Sequence, residues 1–433
     1  MPLYHLGVDD TDSLKYGCTT YVGAQLLERF RGCPFADYPN LVRLNPNVPW
    51  KSRGNAAICL RFWSDLGPTE ILDIAEGIVD RYRDSTDKKN QPGIALLEGE
   101  VPPRLKEFGE RALWKVLGME EAQSVASGTG IAYRLIKGGR GLIGAVASIG
   151  NTMERDYTFE LIVYRKRELW GQLREVDYGS VVKFDGETSP LTFNNIDPEE
   201  KRLLITPRGP DPILFGVRGE DPQAVTHALK SIRFSGAERW VLYRSNQGTD
   251  AHLKEARSVK DLRPYEAAVV EGTMAEEPQV LRGGHIIASL RDEAGQIDIA
   301  GYGPSGSFKG IVGQLMPGDR VRVSGGVRVV EGRLTLNLER LEALKLVTKT
   351  CANPICPNCG KSMKSEGKNK GYQCRRCGRR AAAGEMRGLQ RGVAEGIYLP
   401  PPRAMRHLTK PPRRFGLEKQ AWKDDIGEFQ GFF

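Results

Sequence analysis

Hydrophobic positions change their spacing along the chain, and the changes predict different kinds of element. The apolar run at 3–9 predicts a strand, and apolar residues at helical spacing predict helices at 18–30 and 69–84. From about 158 to 246, short apolar runs alternate with a helical segment, which is typical of a ferredoxin-like α+β domain. Closely spaced short strands at 267–346, joined by Gly-containing connections, predict a β-barrel of the OB type.

The length of the chain indicates that it folds into several domains. Its 433 residues are too many for one compact core and suggest roughly three domains. The spacing pattern divides the chain into an N-terminal α/β domain at 1–137, a ferredoxin-like domain at 138–258, an OB-fold domain at 259–346 and a C-terminal segment at 347–433. The expected fold class is therefore multidomain α+β.

The excess positive charge lies at the C-terminal end. The net charge is +9, from 63 Lys and Arg against 54 Asp and Glu. Residues 347–433 hold 18 of the basic and 7 of the acidic residues, which leaves 45 and 47 for the rest of the chain. Clustered charge of one sign indicates a polyanion partner such as RNA, and a solvated basic tail is the alternative. The candidate RNA-binding residues are Lys361, Lys364, Lys368, Lys370, Arg375 and Arg376.

A cluster of cysteines in the same segment predicts a metal site. Five of the eight cysteines lie between 351 and 377, and four of them form the units CPNCG and CRRCG, in which the two CxxC pairs are separated by fourteen residues. In a long chain of this kind, paired CxxC units favour metal ligation over disulfides. Four thiolates close a tetrahedral site, so the zinc is expected to be structural. The predicted ligands are Cys356, Cys359, Cys374 and Cys377, and Cys351 is expected to be a free thiol.

Three carboxylates crowd the end of the first predicted strand: Asp9, Asp10 and Asp12. Such carboxylates repel one another unless a cation neutralises them, and Mg²⁺ commonly bridges them to nucleotide phosphates. Thr19 and Thr20 are expected at a helix N-terminus, where N–H groups attract phosphate and a hydroxyl could accept a phosphoryl group. In the alternative, the Asp residues build a turn and a Thr caps the helix. Asp9 and Asp12 are the predicted magnesium ligands.

The segment GRGLIG at 139–144 matches GxGxxG after a predicted strand, which is a weak signal by itself. A dinucleotide-binding fold is not expected, because neither a second βαβ half nor an acidic residue about twenty positions further on is visible. The segment is predicted either to cradle phosphate, with Arg140 as counter-charge, or to form a flexible turn with close backbone packing.

Several segments together resemble the archaeal tRNA(Ile) 2-agmatinylcytidine synthetase (TiaS) family. The resemblance extends nearly end to end and is carried by GVDDTDS, GCTTY, RLNPNVPWKSRGN, GRGLIGA, the OB-type strands, CPNC…CRRC and RHLTKP. The opening motif and the order of the domains are specific, whereas a zinc ribbon and an OB barrel alone are not. One departure is Tyr16-Gly17 before Cys18, where the family leads us to expect Gly-Met, and it touches no proposed chemical group.

The resemblance implies an activity. The N-terminal domain would be an atypical kinase that uses ATP to phosphorylate the C2 carbonyl of the wobble cytidine in the isoleucine tRNA with a CAU anticodon. Agmatine would then displace phosphate to give 2-agmatinylcytidine, with release of AMP and phosphate. The same domain would phosphorylate its own Thr19. The resemblance thus implies ATP, Mg²⁺, structural Zn²⁺, agmatine and tRNA as cofactors and partners.

The matched motifs assign expected roles to particular residues. The catalytic group would comprise Asp9, Asp10, Asp12 and Thr19, and the ATP phosphates would contact Thr20, Lys51, Arg53, Arg140 and Gly141. Agmatine carries two positive charges, so its pocket needs carboxylates or carbonyls. The sequence does not single these out, and Asp211, Glu220 and Asp250 are candidates only.

Two other functions fit parts of the sequence. A non-enzymatic RNA-binding protein would explain the C-terminal half but not the acidic strand end, and amine-dependent ATP consumption would separate the two. A nucleotide-dependent small-molecule kinase would leave the basic C-terminal segment unexplained. No apolar run approaches the ~20 residues of a membrane span, and no signal-peptide pattern is visible at the N-terminus, so a cytoplasmic protein is expected.

Overall fold

The structure is a computed structural model that describes residues 1–51, 53–367, 370–420 and 425–433. Lys368, one of the candidate RNA-binding residues, lies outside the described residues. Within the described ranges, none of the helices has the length and hydrophobicity needed to cross a lipid bilayer.

Residues 1–150 form one half of a large mixed sheet with helices on both faces. Its strands are β1 (Leu3–Asp9), β2 (Asn40–Arg43), β3 (Ala56–Trp63), β4 (Gly93–Glu98) and β5 (Ala132–Leu135). Its helices are α1 (Thr19–Arg29), α2 (Pro68–Tyr82), α3 (Pro103–Arg111), α4 (Met119–Gly128) and α5 (Leu142–Gly150). Apolar residues of α1 and α2 join one hydrophobic cluster, and those of α3, α4 and α5 join another. The predicted strand at 3–9 and helices at 18–30 and 69–84 are confirmed.

Helix α5 was not predicted, and its composition explains why. Its sequence, LIGAVASIG, is buried on nearly every side. A helix that is apolar all round shows no 3.6-residue alternation of apolar and polar positions, so periodicity cannot reveal it. It packs closely on the central strands β1, β3 and β4, which places its N-terminus beside the end of β1.

Residues 158–246 form the other half of the sheet. The strands are β6 (Thr158–Arg165), β7 (Thr192–Phe193), β8 (Ile196–Asp197), β9 (Arg202–Leu203), β10 (Ile213–Gly219) and β11 (Ala237–Ser245), and the helices are α6 (Tyr178–Thr188), α7 (Pro222–Thr226) and α8 (Ala228–Ser231). Of these strands, β8 and β9 pair with each other in a separate two-stranded sheet. The helical segment predicted within 158–246, with the sequence DPQAVTHALKSI, is divided into α7 and α8, and α6 was not predicted.

The two halves share one continuous sheet, in the strand order β5-β4-β1-β3-β2-β11-β6-β10-β7. The junction is a parallel pairing of β2 with β11, in which Arg244 lies opposite Asn40 and Ser245 opposite Leu41. The Arg244 guanidinium strengthens this junction through an ion pair with buried Asp37. The two halves of the sheet therefore meet across a hydrogen-bonded interface, and a cleft between them is lined by both.

Residues 267–346 form a second sheet with its own hydrophobic core. Its elements are β12 (Ala267–Met274), β13 (Gln279–Val280), β14 (Ile286–Arg291), β15 (Gln296–Gly301), α9 (Ser307–Val312), β16 (Arg320–Val330) and β17 (Arg333–Lys345). The strand order is β12-β16-β17-β15-β14-β13, and β12 also pairs with β14. The short strands expected here are confirmed.

Residues 347–433 comprise two structurally different parts. The first contains β18 (Lys349–Ala352), β19 (Lys364–Ser365), β20 (Tyr372–Gln373), β21 (Arg380–Ala381) and β22 (Glu385–Gly388) around the four paired cysteines. The second, residues 394–433, is here called the C-terminal strap. It returns to the body of the protein, where β23 (Gly396–Tyr398) pairs with β17 and β24 (Gln430–Phe432) pairs with β11.

Candidate active site and zinc centre

The three N-terminal carboxylates lie where β1 leaves the sheet between β3 and β4. Asp9 is the last residue of β1, and Asp10 has a left-handed backbone with φ of 59°. Asp9 Oδ1 accepts a hydrogen bond of 2.6 Å from the Asp10 backbone N–H. Asp12 Oδ1 accepts one of 2.7 Å from the backbone N–H of Thr19, the first residue of α1. The turn therefore holds carboxylates and a helix N-terminus together, as expected.

Burial makes ionisation of these carboxylates costly. Burial, followed by repulsion from Asp10, raises the pKa of Asp9 well above its ordinary value. Burial raises the pKa of Asp10 to about 6, although Arg140 opposes the shift. Such shifts mark carboxylates that lack sufficient positive charge around them. The carboxylate donors fit a hard divalent cation, which would restore their ionised form.

The GRGLIG segment closes over these carboxylates. A Cβ on Gly141 would lie 2.5 Å from the Asp9 carbonyl oxygen, and one on Gly144 would lie 1.8 Å from Asp9 Oδ2. Only glycine permits this approach, so the first turn of α5 contacts the Asp9 carboxylate directly. Arg140 Nη2 pairs with Asp10 Oδ2 at 3.1 Å, and its guanidinium lies 5.9 Å from the ring centroid of Trp50. Close backbone packing is thus present together with the expected counter-charge.

Two cavities meet at Thr19. The first, here called the carboxylate cleft, is lined by Asp9, Asp10, Asp12, Thr19, Trp50, Lys51, Arg140 and Gly141, together with the apolar side chains of Leu44, Val48, Leu117 and Ile143. The second, here called the inner chamber, is lined by Asp12, Cys18, Thr19, Thr20, Arg43, Arg53, Glu160, Asp211, Arg218 and His407. Thr19 and Asp12 line both cavities, whereas Thr20 lines the inner chamber but not the cleft.

Arg53 lines the inner chamber. Its guanidinium pairs with Asp12 Oδ1 at 3.1 Å and with Asp211 Oδ2 at 3.1 Å. It thereby ties the N-terminal turn to the half of the sheet formed by residues 158–246. Lys51 lies on the cleft side, where burial, followed by the charges of Arg406 and Arg328, lowers its pKa to about 8.

The acidic side of the inner chamber comes from the second half of the sheet. Glu160, on β6, pairs with Arg43 at 3.4 Å and with Arg218 at 3.2 Å. Asp211 is also paired with Arg174, at 3.3 Å. Of the three acidic candidates for the amine pocket, Asp211 lines the chamber.

The other two candidates contact the C-terminal strap. Glu220 accepts hydrogen bonds from Arg414 and Lys419. Asp250 accepts a 2.7 Å hydrogen bond from the Lys410 backbone and pairs with Arg340 at 3.1 Å. These carboxylates hold the strap in place and do not line the chamber.

Sequence reasoning missed three residues that line the cavities: Trp50, Glu160 and His407. Trp50 and His407 lie in the segments RLNPNVPWKSRGN and RHLTKP, but within these segments only Lys51 and Arg53 were given a role. Glu160 could have been found from the sequence, because it is a charged residue within the mostly apolar run FELIVY. A charge at such a position is costly unless it is paired.

The four paired cysteines form a compact thiol cluster. Their Sγ atoms all lie within 4.8 Å of one another, and the closest contacts are 3.4 Å between Cys359 and Cys374 and 3.5 Å between Cys356 and Cys377. Tetrahedral Zn²⁺ with Zn–S bonds of about 2.3 Å separates its sulfurs by about 3.8 Å, so the cluster fits the metal. Backbone N–H groups of Cys377 and Arg376 lower the pKa of Cys374 to about 6, which favours the thiolate.

Basic residues of the two C-terminal parts have different surroundings. Around the thiol cluster, Lys361, Lys364, Lys370, Arg375 and Arg376 are exposed, and within the described residues they form no ion pairs. In the strap, basic residues pair with acidic residues of the body: Arg403 with Asp197, Arg406 with Glu339, Arg413 with Asp185, and Arg414 with Asp156 and Glu220. Charge available to a polyanion is therefore concentrated around the thiol cluster.

Comparison with known proteins identifies the family. Three family models match, described as the TiaS TCKD domain at residues 5–69, the TiaS FLD domain at 139–252 and the TiaS C-terminal zinc ribbon domain at 353–393. The tRNA 2-agmatinylcytidine synthetase TiaS of Methanocaldococcus jannaschii is 37% identical over 421 residues, which cover 95% of this chain and 98% of that protein. The chain belongs to the TiaS family.

Two further similarities extend over the whole chain. The TiaS of Methanosarcina mazei is 40% identical over 416 residues, covering 94% of this chain and 96% of the relative. The crystal structure of TiaS in complex with an isoleucine tRNA, AMPCPP and agmatine superposes with a TM-score of 0.82 at 31% identity, covering 95% of this chain and 97% of that chain. The protein thus has the multidomain α+β fold of TiaS, with a C-terminal zinc ribbon that contains the thiol cluster.

Proposed function

We propose that this protein is an ATP-dependent tRNA-modifying ligase that converts the wobble cytidine of the isoleucine tRNA with a CAU anticodon to 2-agmatinylcytidine. ATP would activate the C2 carbonyl by phosphorylation, agmatine would replace the activated oxygen, and AMP and phosphate would be released. Family membership supports this proposal, and the observation that carries it is the meeting of two chemically different cavities at Thr19.

The carboxylate cleft suits a nucleotide. Its apolar side, with Trp50, offers a surface for a purine, and Lys51 and Arg140 offer positive charge for phosphates. Asp9 and Asp12 would hold Mg²⁺, which when bound neutralises phosphate charge. Gly141 would line the path of the phosphates within the cleft, and Arg53 would approach them from the inner chamber. The raised pKa values of Asp9 and Asp10 support a cation site here.

Thr19 is proposed as the phosphoryl acceptor because its neighbours orient its hydroxyl. The Thr11 hydroxyl donates a 3.0 Å hydrogen bond to Thr19 Oγ1. Thr20 is separated from the cleft: its carbonyl accepts a hydrogen bond of 2.8 Å from Tyr243, and its hydroxyl lies 3.2 Å from Cys18 Sγ. Of the two threonines, Thr19 has access to both cavities.

The inner chamber would receive the amine and the flipped wobble base. A pyrimidine C2 oxygen is a poor leaving group until it is phosphorylated, so both substrates must meet next to the phosphoryl donor. The chamber adjoins the cleft at Thr19 and presents the carboxylates of Glu160 and Asp211 to a cationic ligand. The wobble nucleotide must leave the anticodon stack to reach it.

The remaining segments would hold the tRNA. The second sheet is proposed to be an OB-type barrel, because the pairing of β12 with β14 returns the strand order to its first strand. The exposed basic residues of the zinc ribbon would contact phosphates. A non-enzymatic RNA-binding protein would not need the cleft, and a small-molecule kinase would not need the ribbon.

The test is mass analysis of the wobble nucleoside. The protein is incubated with a transcript of the CAU-anticodon isoleucine tRNA, ATP, Mg²⁺ and agmatine, and the tRNA is digested to nucleosides. We expect a cytidine derivative heavier by agmatine less water, formed only when all components are present, and phosphothreonine at Thr19. A transcript with uridine at the wobble position is the matched control. Recovery of unmodified cytidine from folded protein would refute the proposal.

A further inference from the structure

The C-terminal strap carries a histidine into the inner chamber. The strap backbone is held on the loop after β11, because Gly248 N–H donates to the His407 carbonyl at 2.8 Å and Asp250 N–H donates to the Leu408 carbonyl at 2.8 Å. Leu408 and Thr409 are buried beneath this contact. The position of the His407 side chain is therefore fixed by backbone hydrogen bonds to the carbonyls of His407 and Leu408.

A chain of polar groups determines the tautomer of His407. The Gln247 amide nitrogen donates to Glu160, so the amide oxygen of Gln247 faces His407. That oxygen lies 3.0 Å from His407 Nδ1 and can only accept, so Nδ1 carries the proton. Glu160 is fixed in turn by Arg43 and Arg218. The unprotonated atom of the imidazole is therefore Nε2.

The Nε2 atom faces the cavity. His407 lines the inner chamber, and Nε2 forms no hydrogen bond with protein groups among the described residues. It lies next to Gly54, since a Cβ at that position would be 3.4 Å from Nε2. Gly54 lines both the chamber and the cleft, so Nε2 lies at the region where the two cavities meet.

We propose that His407 is the general base that accepts the proton of the attacking amine. This inference rests on the proposed function. The amine nitrogen forms a bond to C2 of the phosphorylated cytosine, and the bond between C2 and the phosphorylated oxygen breaks, so that phosphate leaves with the bonding electrons. The nitrogen must lose one proton to become the neutral substituent of the product. Nε2 takes that proton and then passes it to the departing phosphate or to water.

The charges around the chamber suit this role. Arg43 and burial, followed by Arg218 and Lys51, hold the pKa of His407 well below its usual range, so the imidazole is neutral at physiological pH. The same positive charges favour the uncharged form of a primary amine, which is its nucleophilic form. A weak base of this kind takes a proton once the attacking nitrogen has become cationic, which occurs only after the new bond begins to form.

The first test compares wild type with His407→Asn. The Asn amide N–H can still donate to Gln247 but leaves no acceptor at the position of Nε2. Single-turnover reactions follow two signals from labelled ATP and tRNA: phosphoryl transfer to the protein and tRNA, and formation of 2-agmatinylcytidine. We expect phosphoryl transfer to continue, amination at saturating agmatine to fall by about 100-fold or more, and the KM for agmatine to change little.

The second test distinguishes a base from a residue that only shapes the chamber. His407→Ala leaves space for a small molecule, and added imidazole should restore amination in proportion to its neutral form while leaving wild type unaffected. If His407→Asn does not fold, imidazole rescue of His407→Ala still shows whether His407 acts as the base. Normal amination in His407→Asn, or a raised KM without imidazole rescue in His407→Ala, would overturn the role of His407. Absence of product from wild type would instead overturn the proposed function, and with it this inference.

Discussion

Asp9 destabilises the folded protein when its buried carboxyl group is ionised. Its carboxylate is packed against Gly144 and lies beside Asp10, and both burial and repulsion raise its pKa. A carboxyl group whose folded-state pKa is raised destabilises the fold when it is ionised. That cost is absent below the unfolded pKa of about 4, grows as the pH rises through the folded pKa, and is complete above it. The apo protein therefore bears a cost at neutral pH that a bound cation would remove.

Replacing Asp9 should separate stability from function. We expect Asp9→Asn to raise the melting temperature of the cation-free protein by about 2 °C or more at pH 7, because one like charge is removed. The increase should vanish near pH 4, and nucleoside formation should fall by about 100-fold or more. Differential scanning calorimetry and the nucleoside assay measure the two effects. Asp65→Asn, at an exposed site, is the control. Full activity or a lower melting temperature in Asp9→Asn would contradict this account.

At the scale of elements, the zinc ribbon depends on its metal more than on its core. Its buried cluster contains Cys356, Met363 and Cys374, and Cys359, Tyr372 and Ala381 pack against it. Each CxxCG unit turns in the same way, since Gly360 N–H donates to the Cys356 carbonyl at 2.9 Å and Gly378 N–H donates to the Cys374 carbonyl at 2.8 Å. Both glycines have positive φ, of 69° and 74°. Such turns aim backbone N–H groups at thiolates, and a metal supplies the remaining folding energy.

Loss of two ligands should therefore unfold the ribbon alone. We expect the double variant Cys356→Ser/Cys374→Ser to lose one zinc per chain and to become sensitive to proteolysis within 353–393, while the large sheet melts as in wild type. Metal analysis by mass spectrometry and limited proteolysis measure these outcomes. Cys351→Ser is the matched control, because Cys351 lies outside the thiol cluster and is exposed. One zinc per chain retained in the double variant would rule out this site.

At the scale of the whole molecule, the ribbon is an insertion between two parts of the body. The chain leaves at β18 and returns at β22, and Ala352 lies opposite Glu385 in that pair. The strap then crosses the second sheet and reaches the edge of β11. It carries Arg414, which is fully buried between Asp156 and Glu220, and His407, which enters the inner chamber. The ribbon can therefore be removed without removing the strap.

Exchanging residues 353–384 for an Asn-Gly turn should test this division. We expect the shortened protein to keep its melting temperature and to bind tRNA more weakly. Each lost phosphate contact should lower the slope of log K against log salt by about 0.7–0.9. An unchanged salt slope in the shortened protein would show that the ribbon does not hold tRNA.

Arg414→Met in the full chain should instead lower the melting temperature, because it removes the buried partner of two carboxylates, at a cost of about 3–5 kcal/mol.

Much of the local structure and part of the site were predictable. Helix α2 could be predicted, because its apolar residues form one buried face: Ile71, Leu72, Ala75 and Val79. The cysteine ligands could also be predicted, because zinc-binding cysteines occur in pairs with a short and recognisable spacing. The Asp9–Asp12 turn and Thr19 were found together because they are close in the chain. Helix α5 escaped, because a segment that is buried all round has no periodicity.

The sequence by itself determined many of the elements, the metal cluster, the acidic turn and the family, since each depends on residues close in the chain or on motifs that extend along it. Only the tertiary structure decided which distant segments meet. It joined β2 to β11 in one sheet, brought Glu160 and Asp211 against Arg43 and Arg53, and paired the charges of the strap within the protein. It also delivered His407 to a chamber built from residues more than 150 positions away. The reason is physical: hydropathy and propensity act over a few residues, whereas strand pairing and buried ion pairs are selected by the packing of the whole chain.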